Sequence, residues 1–234
     1  MSPAISAQVL LDGWCHDAPG VAVRGLGIDA AVIQPGHAFI AMNGNGASRA
    51  TEAETRGASL VIHDGSARLP SLSIPAITVP GLVQRLSSLA SRFYRYPGEQ
   101  LSLVGVAGSH GKSTVAHYLA QSWQRVNGAA GLVGVSGSGP FGSVDVSAAH
   151  KNNPIRLQRA LFDCVDHGIE TVALEATVET LQEGYLDQLA FDVAVFTSLD
   201  DDDSKALDSH QEREQATQRL FVDCLPRFAV VNHD

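Results

Sequence analysis

Cysteine is scarce in this 234-residue sequence: Cys15, Cys164 and Cys224 are odd in number and far apart. That excludes a disulfide framework and the paired spacing of a metal knuckle, so the three read as buried thiols. Aromatic residues are only 6% of the chain, and Trp14 and Trp123 are too isolated to form a base-stacking platform. Core packing is expected of both. No apolar run approaches the roughly 18 residues that a membrane-spanning helix needs, and the N-terminal MSPAISAQVLLDGW has no basic residue ahead of its short apolar stretch. No membrane is therefore expected as a partner, and the cytoplasm is the expected location. Basic residues are in deficit, 16 Lys and Arg against 25 Asp and Glu, for a net charge of -9. Duplex nucleic acid needs clustered cations along its phosphates, so it is not an expected partner either, although a nucleotide needs only a local site. What is present is ordinary: 44% hydrophobic residues over a length that suits one large or two small domains.

The pattern changes near Tyr96-Pro97-Gly98, the best candidate boundary, which gives domains at 1–97 and 98–234. In the first part, Phe39 to Met42 and Ser59 to Ile62 read as short strands. They are separated by a turn at Asn43-Gly44-Asn45-Gly46 and a polar helical stretch from Ser48 to Arg56. Leu82, Leu86, Leu89 and Phe93 recur at helical spacing, which predicts an amphipathic helix over 82–94. Beyond the boundary, strands and helices alternate. Strands are expected at 101–106, 132–135, 171–174, 191–197 and 228–231, and helices at 113–126, 155–167, 178–189 and 210–225. The fold class is therefore α/β: a small N-terminal α/β domain, then a parallel sheet with helices on both faces.

The most informative stretch is Leu101-Ser-Leu-Val-Gly-Val-Ala-Gly108-Ser109-His110-Gly111-Lys112-Ser113-Thr114. A strand runs into a glycine-rich turn, and a helix begins at once after Gly-Lys-Ser. Glycines let backbone N–H groups converge on phosphate oxygens, and the helix N-terminus adds partial positive charge. The lysine neutralises β and γ oxygens while the serine hydroxyl can hold Mg²⁺. The generic phosphate-loop spelling wants glycine where Val106 stands, so the generic pattern fails, with Gly105 and Gly108 on either side. Residues Gly108 to Thr114 are thus the candidate nucleotide-binding loop.

Gly108-Ser-His-Gly-Lys-Ser-Thr114 resembles the shortened loop of the Mur ligases, the cytoplasmic ATP-dependent enzymes that add amino acids to the UDP-N-acetylmuramoyl precursor of peptidoglycan. The flanks Leu86 to Tyr94, Pro97 and Leu103 to Val106 look like the entry to the ATPase domain of the branch that adds the third stem-peptide residue, the tripeptide synthetases. Leu26-Gly-Ile-Asp29 and Gln34 to Gly44 are similar to the small N-terminal domain that holds the uridine end of the substrate. The resemblance implies ATP and Mg²⁺ as cofactors and a UDP-muramoyl-peptide-like substrate. It implies Lys112 and Glu175 as catalytic residues, Ser113 and Glu175 as metal ligands, and Asp29, Asn152 and Asn153 as substrate contacts.

The sequence also departs from the family pattern. The family's Asp-Ser-Arg becomes Asp29-Ala30-Ala31, and the substrate loop Asn-Thr-Thr becomes Lys151-Asn152-Asn153. The histidine expected four places after Glu175 is Glu179, and the loop after Phe196-Thr-Ser-Leu199 runs into Asp200 to Asp203. The lysine that the family carbamylates for a second Mg²⁺ falls on or near Gln218. The sequence stops at Val230 to Asp234 on what reads as a strand part-way through the family's central domain, before the family's C-terminal domain, as expected of either a fragment or a natural short homologue. Two expectations follow. One is a truncated, diverged ATP-binding relative of these amide ligases whose independent ligase activity is doubtful. The other is a nucleotide-dependent pseudoenzyme that engages a protein partner or a second copy of itself through an uncovered sheet edge.

Overall fold

A computed structural model of the chain describes residues 4–66, 68–145, 153–198 and 210–232. Two compact units emerge, residues 1–94 and 95–234. Among the described residues, no helix is long and apolar enough to cross a membrane.

In the first unit, β1 (Ile5–Ser6) and β2 (Ala22–Val23) form a small antiparallel pair around the short helix α1 (Ala7–Leu10). The main sheet is parallel, in the order β3 (Gly25–Gly27), β4 (His37–Ala41), β5 (Leu60–His63), β6 (Ala76–Thr78). Phe39, Ile40, Val61 and Ile62 are fully buried on both faces, the continuous apolar reading of a covered parallel sheet. Helix α2 (Asn43–Thr55) starts five residues earlier than the sequence suggests, so the Asn-Gly-Asn-Gly stretch is helical and not a turn. The first helical turn needs no N–H acceptors within the helix, which makes glycine and asparagine there less costly than in a helix interior. Helix α3 (Leu82–Phe93) buries Leu82, Leu86, Leu89 and Phe93, as their spacing predicts. Its Arg92 donates to the carbonyls of Leu10 and Asp12 at 2.9 and 2.8 Å, satisfying the end of α1. Arg92 and Arg85 also lie over the Trp14 ring, 4.5 and 5.3 Å from its centroid. Trp14 is therefore a half-buried cation–π platform for two arginines and not the core residue expected.

The second unit holds a six-stranded sheet in the order β12 (Phe228–Val231), β11 (Val193–Phe196), β7 (Ser102–Ala107), β10 (Thr171–Glu175), β8 (Gly131–Gly134), β9 (Gly137–Pro140). All pairings are parallel except β8 with β9. Leu103, Ala107, Val172 and Leu174 face one apolar cluster with α5 (Pro154–Asp166) and α7 (His210–Val222). Val106, Leu132 and Ala173 face another with α4 (Lys112–Asn127). This period of two puts helices on both faces, as expected of a crossover-connected sheet. The helix expected at 178–189 is cut to α6 (Val178–Gln182) because Gly184, at φ +68°, closes it in a left-handed turn, while Leu186 and Leu189 remain in the core. Arg219 of α7 donates to the carbonyls of Leu181 and Gln182 and pairs with Asp187 at 3.2 Å and Asp223 at 2.8 Å. It thereby ties α7 to the end of α6. Of the cysteines only Cys164 is fully buried; Cys15 and Cys224 are half-buried.

Candidate functional site

The candidate site lies at the carboxyl ends of β7, β10 and β11, the edge of a parallel sheet where ligands of α/β folds bind. β7 ends at Ala107, four loop residues follow, and α4 begins at Lys112. Gly108 and Gly111 both have positive φ, +136° and +81°. A side chain on Gly108 would also overlap the Thr197 hydroxyl and the Ser198 backbone, so the loop needs glycine there for space as well as conformation. Lys112 folds back over this loop. Its Nζ donates to the carbonyls of Gly108 at 2.7 Å and Ser109 at 3.1 Å.

In the first turn of α4, the Ser113 hydroxyl donates to Glu175 Oε2 at 2.8 Å. Glu175, the last residue of β10, pairs in register with Val106 and is only 4% exposed. Its other oxygen, Oε1, is buried and has no hydrogen-bond partner among the described residues. A buried carboxylate oxygen left without a donor is costly, and a divalent cation would satisfy it. Ser113, just past the loop, and Glu175 are thus brought together from sequence positions 62 apart.

Two residues without an assigned role in the sequence reading shape the loop. Thr197 Oγ1 shares its single hydrogen between the carbonyls of His110, at 2.6 Å, and Ala107, at 3.1 Å. The Ser109 N–H donates to the Ser198 carbonyl at 2.7 Å, and the His110 N–H donates to the Ser198 hydroxyl at 3.2 Å. The end of β11 therefore splints the loop. The sequence signals were a hydroxyl pair at the end of an expected strand and the place of Phe196-Thr-Ser-Leu199 in a family loop.

The substrate candidates do not converge in the same way. Asp29 accepts from the Ala31 N–H at 3.0 Å and pairs with Arg49 at 2.7 Å, both partners more than a third exposed. Asn153 caps α5 by accepting from the Ile155 N–H at 2.8 Å. It also lines a cavity with Arg156, Thr177, Tyr185, Gly134 and Glu175, next to the loop site. Burial pushes the Tyr185 hydroxyl above its ordinary value. Asn152, Lys151 and the acidic run 200–203 lie outside the described residues. Among the described residues no three His, Cys, Asp or Glu gather as a metal cage. A cation here would rely on Ser113, Glu175 and a ligand's own phosphates, a mode typical of Mg²⁺. Gln218 sits exposed on α7, its amide donating to Glu214 at 3.3 Å.

The Mur ligase middle domain family matches residues 106–234. The UDP-N-acetylmuramoyl-L-alanyl-D-glutamate–2,6-diaminopimelate ligase of Pseudomonas putida is 34% identical over 94% of this chain and 46% of its own length. The ligase of the same name from Xanthomonas campestris pv. campestris is 35% identical over 100% and 48%. Among solved structures, a ligase of that name superposes with a TM-score of 0.79 at 23% identity over 99% of this chain and 47% of its own. The MurF ligase of Thermotoga maritima in complex with ADP gives 0.64 at 19%, over 91% and 46%. The two structural likenesses speak for the fold. The chain spans about half the length of the curated relatives it matches.

Proposed function

The chain belongs to the Mur ligase family, and on that premise we propose that its second unit is a phosphate-loop site for Mg-ATP. The observation that carries this reading is the Lys112 ammonium over the Gly108–Gly111 loop, with the Ser113 to Glu175 hydrogen bond beside it. On binding, the Lys112 ammonium would leave the carbonyls of Gly108 and Ser109 for the phosphate oxygens. The N–H groups at the start of α4 would add the favourable end of the helix dipole. Ser113 and Glu175 Oε1, which has no hydrogen-bond partner among the described residues, would hold Mg²⁺, which supplies neutralisation of phosphate charge. The splint from Thr197 and Ser198 keeps the loop in shape while Lys112 moves.

The named activity of the relatives joins UDP-N-acetylmuramoyl-L-alanyl-D-glutamate to 2,6-diaminopimelate. For this chain we propose a substrate of the same muramoyl-peptide class. Its uridine end would meet the first unit around Asp29. Its peptide end would enter the cavity of Asn153, Arg156, Thr177 and Tyr185, where a guanidinium and hydroxyls suit carboxylate and amide groups. Gln218, a neutral amide where the resemblance places a carbamylated lysine, argues for weakened amide-bond formation relative to nucleotide binding. The deciding measurement is calorimetric titration with Mg-ATP, with Lys112→Ala as control. Binding that the substitution removes supports the reading, and an absence of binding in the wild type overturns it.

A further inference from the structure

Gly134 closes β8, and its backbone does not call for glycine. It lies outside the left-handed region that Gly108, Gly111 and Gly137 occupy. The constraint on it is space. Val133 pairs in register with Leu174, so Gly134 lies beside Glu175 on the neighbouring parallel strand. A Cβ built on Gly134 would overlap Glu175 Oε1 and come within 2.5 Å of its Cδ and 2.8 Å of its Cγ. Ordinary van der Waals contact begins near 3.4 Å, and these atoms are the outer end of a buried side chain, so a methyl at 134 can be accommodated only by moving the carboxylate.

We propose that Gly134 is the positioning residue of Glu175, its missing side chain forming the seat that holds the carboxylate. The seat turns Oε2 to the Ser113 hydroxyl at 2.8 Å and leaves Oε1 as a buried hard oxygen one carboxylate width away, uncommitted to any described donor. A methyl at 134 drives the carboxylate off β8, breaks its geometry with Ser113 and removes the oxygen pair from a cation's reach. The metal part of this inference rests on the Mg-ATP reading above. The placement of Glu175 by Gly134 does not.

The test is a cycle of wild type, Gly134→Ala, Glu175→Ala and the double variant, all in the full chain. Thermal unfolding without ligand is read first. Gly134→Ala should lower Tm by about 5 °C or more in the wild-type background, a loss typical of overpacking. It should leave Tm unchanged or raise it in the Glu175→Ala background, where no carboxylate remains to displace. Equal losses in both backgrounds overturn the proposal. Mn²⁺ titration in the presence of ATP, followed by the electron paramagnetic resonance of free Mn²⁺, is read second. Affinity should fall at least tenfold in each single variant and no further in the double. A wild type that binds Mn²⁺ with ATP, beside a Gly134→Ala variant that binds it equally well, overturns the proposal too. If Gly134→Ala does not fold, the double variant must fold for the proposal to stand. A wild type that binds no ATP sinks the nucleotide reading alone, because the Tm cycle still decides what Gly134 does to Glu175.

Discussion

The Ser113 hydroxyl donates to Glu175 Oε2 at 2.8 Å, joining the first turn of α4 to the last residue of β10. The bond spans two parallel neighbours, β7 and β10, whose register sets Glu175 opposite Val106. It brings a hydroxyl and a carboxylate to the mouth of the glycine loop, where a phosphate-bound cation would need both. Because Glu175 is buried, the same bond also bears on stability.

Ser113→Ala should lower the unfolding free energy by about 1–3 kcal/mol, since it leaves a buried carboxylate without its donor. Ser113→Thr, which keeps the hydroxyl, should recover most of that loss. Urea denaturation of the three proteins checks both values, and an Ala variant as stable as the wild type would contradict the buried bond.

Lys112→Ala should reduce ATP affinity at least tenfold, with Lys112→Arg intermediate because a planar guanidinium does not reproduce a compact ammonium over a tight loop. The fold should survive in both variants, as Lys112 packs on its own loop and not in a core cluster. Calorimetry with circular dichroism separates the two effects.

Thr197→Val removes the hydroxyl that bonds the carbonyls of Ala107 and His110 while keeping the shape of the side chain. It should cost about 1 kcal/mol of stability. It should also speed amide hydrogen exchange across Gly108 to Gly111 and weaken ATP binding severalfold. Exchange mass spectrometry reads the loop directly, and protection equal to wild type would show that the splint is dispensable.

Burial pushes the Cys164 thiol up to about 12, with Asp163 adding to it, and burial raises Cys224 to about 11. A folded-state value above the unfolded one means the protonated form favours folding. Stability should therefore hold below about pH 9 and decline as pH rises towards 12, at up to about 1.4 kcal/mol per pH unit for Cys164. Cys164→Ala should flatten that alkaline decline. Both thiols should resist iodoacetamide at pH 8 in the native chain and react in urea.

Much of the second unit was legible in the linear pattern. The run Leu101 to Thr114 named its own strand, loop and helix because the glycines, the Gly-Lys-Ser and the apolar run are all local signals. Leu82, Leu86, Leu89 and Phe93 named α3 by spacing alone, and Phe228 to Val231 is a strand as expected. Other elements were hidden because local signals conflicted with what the surrounding structure decides. Asn43 to Gly46 carries turn residues but forms the first turn of α2. Gly137 to Pro140 shows no strand composition yet pairs antiparallel with β8.

The sequence alone determined which chemistry the chain could offer: a lysine and a serine at a strand-to-helix junction, and a glutamate at the end of a later strand. Those choices are encoded by residue type and short spacing, which survive without any knowledge of the fold. Only the tertiary structure decided that Ser113 meets Glu175, that Thr197 and Ser198 brace the loop, and that Gly134 lies against the Glu175 carboxylate. Each of these depends on which strands are neighbours and in what register. The sheet order β11-β7-β10-β8 is set by the burial of whole faces, and no short stretch of residues contains it.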